Sequence, residues 1–225
     1  MTTYLIALIA CFVLCYLMGS VIFGVIISKL TAGVDVRKSG SGNAGATNVM
    51  RTVGVGAAVV TFLCDALKCA AAVLISKYLI LLPVARNAAI PELLGVNYMV
   101  YLLGFFAMLG HSYPVFFKFK GGKAVASSVG VLYCINWQVA TFVLLIFAVC
   151  VVLTRIVSLG SVLGAVQFVI LSFAYSVGNP PLIRLYVTLL ASTLALLVII
   201  RHSDNIKRLM KGEEAPLKRK KAKDK

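Results

Sequence analysis

The chain has 225 residues, of which 61% are hydrophobic and 13% are charged. A soluble globule of this size cannot bury so much apolar surface, and disordered chains have the opposite composition, so both classes are excluded. A net charge of +15 would suggest nucleic acid as the partner of a soluble protein. In a membrane protein, cytoplasmic loops and anionic headgroups account for such charge. We therefore interpret the chain as a multi-pass membrane protein with no nucleic-acid partner.

Seven apolar segments predict membrane-spanning helices, since about 20 helical residues cross the hydrocarbon layer. They lie at residues 4–28, 54–75, 93–110, 124–136, 138–153, 159–177 and 182–200. We divide the stretch 124–153 at Asn136-Trp137-Gln138, because a single helix over its whole length would measure about 45 Å. The sequence thus predicts an all-α membrane domain over residues 1–210, followed by a basic tail over residues 211–225.

The charge distribution predicts the orientation of these helices. With seven spans, residues 29–53, 111–123, 154–158 and 201–225 share one side of the membrane. They hold 4, 3, 1 and 10 Lys and Arg residues, or 18 of the 22, whereas the opposite side holds Lys77, Arg86 and Arg184. The positive-inside rule therefore predicts that the N-terminus is outside and the C-terminus is cytoplasmic.

The first long cytoplasmic loop, residues 36–51, has the composition of an anion site. Its glycines allow backbone N–H groups to approach a phosphate closely, and Arg37, Lys38 and Arg51 flank them. The alternative is a flexible linker with juxtamembrane positive charges. The glycines at 40, 42 and 45 also match a dinucleotide fingerprint, but no strand precedes them, so we reject that interpretation.

The other polar segments carry further candidates. In residues 111–123, lysines alternate with phenylalanines, and two interpretations stay open: contact with lipid headgroups, or binding of a substrate phosphate. Both histidines, His111 and His202, lie at cytoplasmic helix ends, where structural and acid–base roles are equally plausible. Asp65 and Lys68 lie three residues apart within a span, which favours an intrahelical ion pair over a functional site. The cysteines show no zinc spacing, and no metal site is expected.

Three motifs, in order, carry a resemblance to a known family. The loop SGSGNAGATNVMR, the segment HSYPVFFKFKGGKAVAS and the stretch HSDNIKRLMKGEE resemble the bacterial acyl-phosphate:glycerol-3-phosphate acyltransferases, the PlsY family. The resemblance extends over essentially the whole chain. Departures are mild: Cys69, Tyr113, Ala124 and Ser127 stand where this family usually has Gly, Phe, Gly and Thr.

The resemblance implies transfer of a fatty acyl group from acyl phosphate to the 1-hydroxyl of sn-glycerol 3-phosphate. The products are lysophosphatidic acid and phosphate, in the first step of bacterial phospholipid synthesis. It implies no cofactor, and a site on the cytoplasmic face of the inner membrane. The implied partners are the two substrates and membrane lipid, and a soluble enzyme that makes acyl phosphate is a further candidate.

The resemblance also assigns residues. It implies that four residues contact the acyl phosphate and the reacting centre: Ser41, Ser158, His202 and Asn205. It implies that a second set binds substrate: Asn43, Thr47, Asn48, Arg51, His111, Lys118, Lys120 and Lys123. The alternative function is a phosphate or organophosphate transporter, which would place polar residues along several helices.

Overall fold

The computed structural model describes residues 1–217, which contain helices and no strand. Six helical segments are long and apolar enough to cross a membrane: Thr2–Ala32, Val55–Ala85, Val96–Phe117, Trp137–Thr154, Val157–Tyr175 and Pro181–Arg201. A seventh apolar helix, Val125–Ile135, is shorter. The predicted all-α membrane fold is confirmed. Residues 218–225 of the predicted basic tail lie outside the described residues.

The first apolar segment is broken into two helices, α1 (Thr2–Gly19) and α2 (Phe23–Ala32). A Cβ atom on Gly19 would lie 2.0 Å from the carbonyl oxygen of Ala107, so only glycine permits this helix crossing. The break also leaves the carbonyl of Val21 to accept a hydrogen bond from the Lys68 ammonium. The sequence predicts a single spanning helix over residues 4–28, because the apolar run is continuous.

The short helix α3 (Ala46–Thr52) leads into α4 (Val55–Ala85), which is π-helical over Ile75–Leu81. Helix α4 continues ten residues beyond its predicted end at residue 75. Lys77 therefore lies within the helix, with its Nζ atom 5.2 Å from the centre of the Tyr78 ring. A lysine near a helix end can extend its ammonium towards the interface, so it does not terminate the span.

Six further helices complete the bundle: α5 (Val96–Ser112), α6 (Val125–Ile135), α7 (Trp137–Thr154), α8 (Val157–Tyr175), α9 (Pro181–Arg201) and α10 (Ser203–Met210). The break predicted near residue 136 is present, and the Asn136 side chain caps α7 by accepting a hydrogen bond from the Val139 N–H at 3.0 Å. Helix α6 measures only about 16 Å, roughly half the thickness of the hydrocarbon layer.

The core lies where α5 packs against α1, α4 and α9, and Met99, Leu103 and Met108 are fully buried there. Large apolar side chains also remain exposed on the outer surfaces of the bundle. Examples are Ile6, Leu67, Leu79, Val152, Leu153 and Leu182. Helices with apolar residues on all sides are typical of a membrane protein whose outer surfaces face lipid.

The polar segments gather at one end of the bundle, which we call the polar face: residues 33–54, 113–124, 155–156 and 202–217. Arg37 donates from Nη1 to the Phe117 carbonyl at 3.2 Å, and Arg51 donates to the Ala215 carbonyl at 3.4 Å. The Leu217 N–H donates to the Arg155 carbonyl at 2.8 Å. These contacts bring together the segments that the charge distribution predicts on one side.

We predict that the polar face is cytoplasmic, and cysteine accessibility tests this orientation. Ser39 is exposed on the polar face and Ala89 is exposed at the opposite end of the bundle. A membrane-impermeant maleimide should label Ala89→Cys in intact cells and should label Ser39→Cys only after permeabilisation. The unsubstituted chain measures background labelling from the natural cysteines. Labelling of Ser39→Cys alone in intact cells would contradict the predicted orientation.

Candidate active site

A polar cleft of about 770 Å³ opens on the polar face. Residues 41–51 and the turn before α6 form part of its lining. The rest is formed by the start of α8, by His202 together with α10, and by residues 213–215. Ten of the twelve predicted site residues line this cleft: Ser41, Asn43, Thr47, Asn48, Arg51, Lys120, Lys123, Ser158, His202 and Asn205. Segments that are far apart in sequence thus form one site.

The buried side chain of Asn48 organises the glycine-rich loop. Its Nδ2 atom lies 2.8 to 3.0 Å from three backbone carbonyl oxygens, those of Val36, Ser39 and Asn43. Its Oδ1 atom accepts a hydrogen bond from the Ser41 N–H at 2.9 Å. One amide therefore fixes the path of the loop, and Asn48 shapes the wall of the cleft as well as lining it.

Arg51 lies at the mouth of the cleft, where it is exposed. It is carried by α3, in the turn after Thr47. The loop that precedes α3 contains Gly40 and Gly42 in left-handed conformations, with φ of 60° and 70°. These conformations favour glycine. Backbone geometry therefore favours glycine at these two positions, in addition to the close approach of backbone N–H groups to a phosphate.

A hydrogen-bonded group of side chains forms the facing wall. The Lys123 ammonium donates to Oδ1 of Asn205. Glu214 accepts three hydrogen bonds: from Asn205 Nδ2 at 2.5 Å, from Ser158 Oγ at 2.7 Å and from Arg208 Nε at 2.6 Å. This carboxylate joins α8, α10 and the C-terminal segment at the edge of the cleft.

We did not predict Glu214 or Arg208 as site residues from the sequence. Both lie in the third quoted motif, and the motif was the available signal. The role of Glu214 depends on the chain folding back after α10, so that its carboxylate meets Ser158 from α8. Sequence spacing alone does not predict that contact.

Electrostatics in the cleft fix the charge of two groups. Burial raises the pKa of Glu214, but hydrogen bonds from Ser158, Asn205 and Arg208 outweigh it and bring the pKa below its ordinary value. Burial lowers the pKa of Lys123, and the Arg208 guanidinium lowers it further. Burial lowers the pKa of His202 to about 4. At neutral pH, Glu214 is therefore an anion and His202 is uncharged.

The hydrogen bond of His202 identifies its neutral form. Its Nδ1 atom lies 2.8 Å from the Val198 carbonyl oxygen, and a carbonyl can only accept. The neutral ring therefore carries its proton on Nδ1, which makes Nε2 a hydrogen-bond acceptor. An acceptor suits a substrate hydroxyl better than a phosphate oxygen. The low pKa makes the ring a weak base.

Two predicted substrate-binding residues do not line the cleft. His111 is buried behind Gly121 and Gly122, with its Nδ1 atom 3.1 Å from Lys68 Nζ. Lys118 is exposed on a loop that also exposes Phe116 and Phe119. That arrangement fits the lipid-headgroup interpretation of this lysine, whereas Lys120 and Lys123 fit the phosphate interpretation.

An apolar crevice continues from the polar cleft between α6, α7, α8 and α9. Its volume is about 60 Å³, and its lining includes Leu132, Val143, Phe168 and Leu194. Four residues line both the cleft and the crevice: Phe62, Val125, Phe147 and Ser161. The combined shape suits a molecule with an anionic head and an apolar tail.

Comparison with known sequences identifies the family. A family model described as glycerol-3-phosphate acyltransferase matches residues 9–212. A relative of that name from Thermoanaerobacter sp. (strain X514) is 40% identical over 205 residues, which cover 91% of this chain and 93% of the relative. Another from Bacillus subtilis (strain 168) is 39% identical over 206 residues, covering 92% and 95% of the two chains.

Two crystal structures of PlsY (YgiH), an integral membrane glycerol 3-phosphate acyltransferase, are similar to this fold. Both are 34% identical in sequence. The glycerol 3-phosphate form gives a TM-score of 0.78 and covers 94% of this chain and 96% of that chain. The lysophosphatidic acid form gives 0.76, with coverage of 94% and 95%. The chain described here belongs to the glycerol-3-phosphate acyltransferase family.

Proposed function

We propose that the protein transfers a fatty acyl group from acyl phosphate to the 1-hydroxyl of sn-glycerol 3-phosphate. The products are lysophosphatidic acid and inorganic phosphate, in the first step of bacterial phospholipid synthesis at the cytoplasmic face of the inner membrane. The observation that carries this proposal is the junction between the polar cleft and the apolar crevice. The PlsY structures in glycerol 3-phosphate and lysophosphatidic acid forms support the acceptor and the product.

Each end of the donor fits a different part of this junction. The first part of the acyl chain enters the apolar crevice, where burial of methylene groups is favourable. A crevice of about 60 Å³ is too small to hold the whole chain. Its phosphate lies in the cleft near Lys123, and the acceptor phosphate lies near Arg51 at the mouth. Ammonium and guanidinium groups are suitable donors to phosphate oxygens. The cleft is large enough to bring the two phosphates close together.

The chemical step is acyl transfer from a mixed anhydride. The acceptor hydroxyl oxygen forms a bond to the carbonyl carbon, and the bond from that carbon to the phosphate oxygen breaks. The electron pair leaves with the phosphate, which also takes the hydroxyl proton. Because the leaving group is already good, positioning and charge neutralisation by Lys123 supply much of the catalysis.

The side-chain contacts favour direct transfer over a covalent intermediate on Ser41. A serine nucleophile needs an adjacent base. Among the described residues, Ser41 Oγ has no hydrogen bond to either histidine: His111 contacts Lys68, and the low pKa of His202 makes its ring a weak base. We therefore assign Ser41 and Ser158 to binding and orientation. His202 accepts a hydrogen bond from the acceptor hydroxyl through Nε2 and directs it towards the carbonyl.

The transporter alternative has less support. A transporter would place polar residues along several helices, whereas Asp65 and Lys68 form an ion pair at 2.7 Å within one helix. This contact agrees with the intrahelical interpretation of the two residues. The polar cleft, which Asp65 also lines, lies at one end of the bundle and continues into an apolar crevice.

A donor comparison tests the proposed reaction. Purified protein is incubated with labelled glycerol 3-phosphate and either palmitoyl phosphate or palmitoyl-CoA. We expect labelled lysophosphatidic acid from the acyl phosphate and at most traces from the thioester. Lys123→Met should abolish most turnover, whereas Lys77→Met, which removes the same charge outside the cleft, should retain it. Turnover with palmitoyl-CoA alone would contradict the proposed donor.

Substitution of Arg51 should weaken binding of the acceptor. The guanidinium can donate two hydrogen bonds to one phosphate, and a lost charge-assisted contact costs roughly 1.5–3 kcal/mol. Arg51→Ala should therefore raise the KM for glycerol 3-phosphate by about 10–150-fold, and Arg51→Lys should recover part of the loss. Arg86→Ala, at an exposed position away from the cleft, is the control. A wild-type KM in Arg51→Ala would show that Arg51 does not bind glycerol 3-phosphate.

The pH profile tests the role of His202. Since its pKa is about 4, its charge does not change between pH 6 and 8, and no inflection near 6.5 should come from it. His202→Gln, which keeps an acceptor, should lower kcat less than His202→Ala and should keep the wild-type profile shape. An inflection from the substrate phosphate, with a pKa of about 6, would appear in all three enzymes. Loss of an inflection only in the His202 variants would establish it as a titrating base.

A further inference from the structure

Three buried polar side chains form what we call the inner cluster: Asp65, which also lines the cleft, and Lys68 and His111, which lie behind it. Lys68 Nζ donates to Asp65 Oδ1 at 2.7 Å, lies 3.1 Å from His111 Nδ1, and donates to the Val21 carbonyl. An ammonium has three N–H donors, and these are three acceptors. With His111 Nδ1 unprotonated, each ammonium N–H has an acceptor, which holds the His111 ring in one orientation. Within the described residues, the other Asp65 oxygen, Oδ2, is buried without a hydrogen-bond partner.

The opposite edge of the His111 ring packs against the glycine turn that leads to Lys123. A Cβ atom on Gly122 would lie 2.1 Å from His111 Nε2, and a Cβ atom on Gly121 would lie 2.1 Å from the His111 carbonyl oxygen. The Gly122 N–H donates to that same carbonyl at 3.0 Å. The turn therefore follows the surface of His111, and its path depends on where that ring is held.

The turn is also held from the other side. The Gly122 carbonyl accepts a hydrogen bond from Arg201 Nε at 3.2 Å. Gly122 is thus fixed at both its N–H and its C=O groups, immediately before Lys123. Two restraints on the preceding peptide groups leave the Lys123 backbone little freedom, and its ammonium contacts Asn205 in the cleft.

We propose that the inner cluster positions Lys123, with His111 as the positioning residue and the Asp65–Lys68 pair as its support. The inference rests on the phosphate-binding role of Lys123 in the proposed function. His111 acts through the glycine turn and does not contact substrate. Charged groups within a bundle are costly to bury, and replacing a buried pair by apolar residues is often neutral or stabilising. Stability alone therefore does not account for the cluster.

A double-mutant cycle separates positioning from a general structural role. The single variants are His111→Leu, Gly122→Ala and Lys123→Met, and the double variants combine each of the first two with Lys123→Met. The readouts are kcat/KM for acyl transfer and the Kd for inorganic phosphate, which both substrates contain as a group. The phosphate Kd needs no turnover, so the cycle remains readable even if the proposed donor is wrong.

Each single variant should weaken phosphate binding about tenfold, as expected for one lost charge-assisted contact. The double variants should be no weaker than Lys123→Met alone, because His111 and Gly122 act only through this lysine. Gly56→Ala is the matched control, since a Cβ atom there meets nothing within 4 Å. A double variant that binds phosphate about a hundredfold more weakly, the product of its two single losses, would overturn the proposal. Unchanged phosphate binding in His111→Leu would also overturn it.

A rescue experiment covers the case in which His111→Leu fails to fold. Asparagine at position 111 keeps an acceptor for Lys68 but lacks the three ring atoms that a Gly122 Cβ would meet, Nε2, Cδ2 and Cε1. His111→Asn should therefore restore part of the affinity that Gly122→Ala loses. If the pair His111→Asn and Gly122→Ala binds phosphate no better than Gly122→Ala, the ring does not set the turn and the proposal fails.

Discussion

The cleft depends on the Asn48 side chain, because an irregular loop at a membrane surface must satisfy its own backbone groups. Its amide lies within hydrogen-bonding distance of three carbonyls and one N–H of the glycine-rich loop. Without this partner, a loop with glycines at positive φ would have many conformations of similar energy. With it, Ser41 and Arg51 face the same space as Lys123 and Asn205, and the two walls can act on one substrate pair.

The sequence predicts much of the fold, because the hydropathy of each segment and the number of Lys and Arg residues in each loop can be read directly from it. The turn at Asn136 and the gathering of polar segments at one end follow from them. The break after Gly19 does not, since it depends on close contact with the Ala107 backbone. Nor does the continuation of α4 past Lys77. Hydropathy cannot show that this ammonium lies beside Tyr78 within the same helix.

The site could be predicted as a set of residues but not as a geometry. The motifs contain residues that line the cleft, but they do not distinguish His202, which lines it, from His111, which does not. Packing separates them, since His111 lies behind the glycine turn and His202 lies in the cleft wall. The place of Glu214 depends on the fold of the C-terminal segment. In the proposed reaction these surrounding groups hold the cations in place, and an activated donor makes a strong base unnecessary.

The most direct test of this account is a rapid-mixing experiment with acyl phosphate in the absence of acceptor. Enzyme at a concentration comparable to the substrate is mixed with palmitoyl phosphate labelled in its acyl chain, and released phosphate and protein-bound label are followed. Direct transfer predicts no phosphate burst and no label on the protein until glycerol 3-phosphate is added. A burst that equals the enzyme concentration, with label that is lost in Ser41→Ala, would contradict direct transfer and establish an acyl-enzyme.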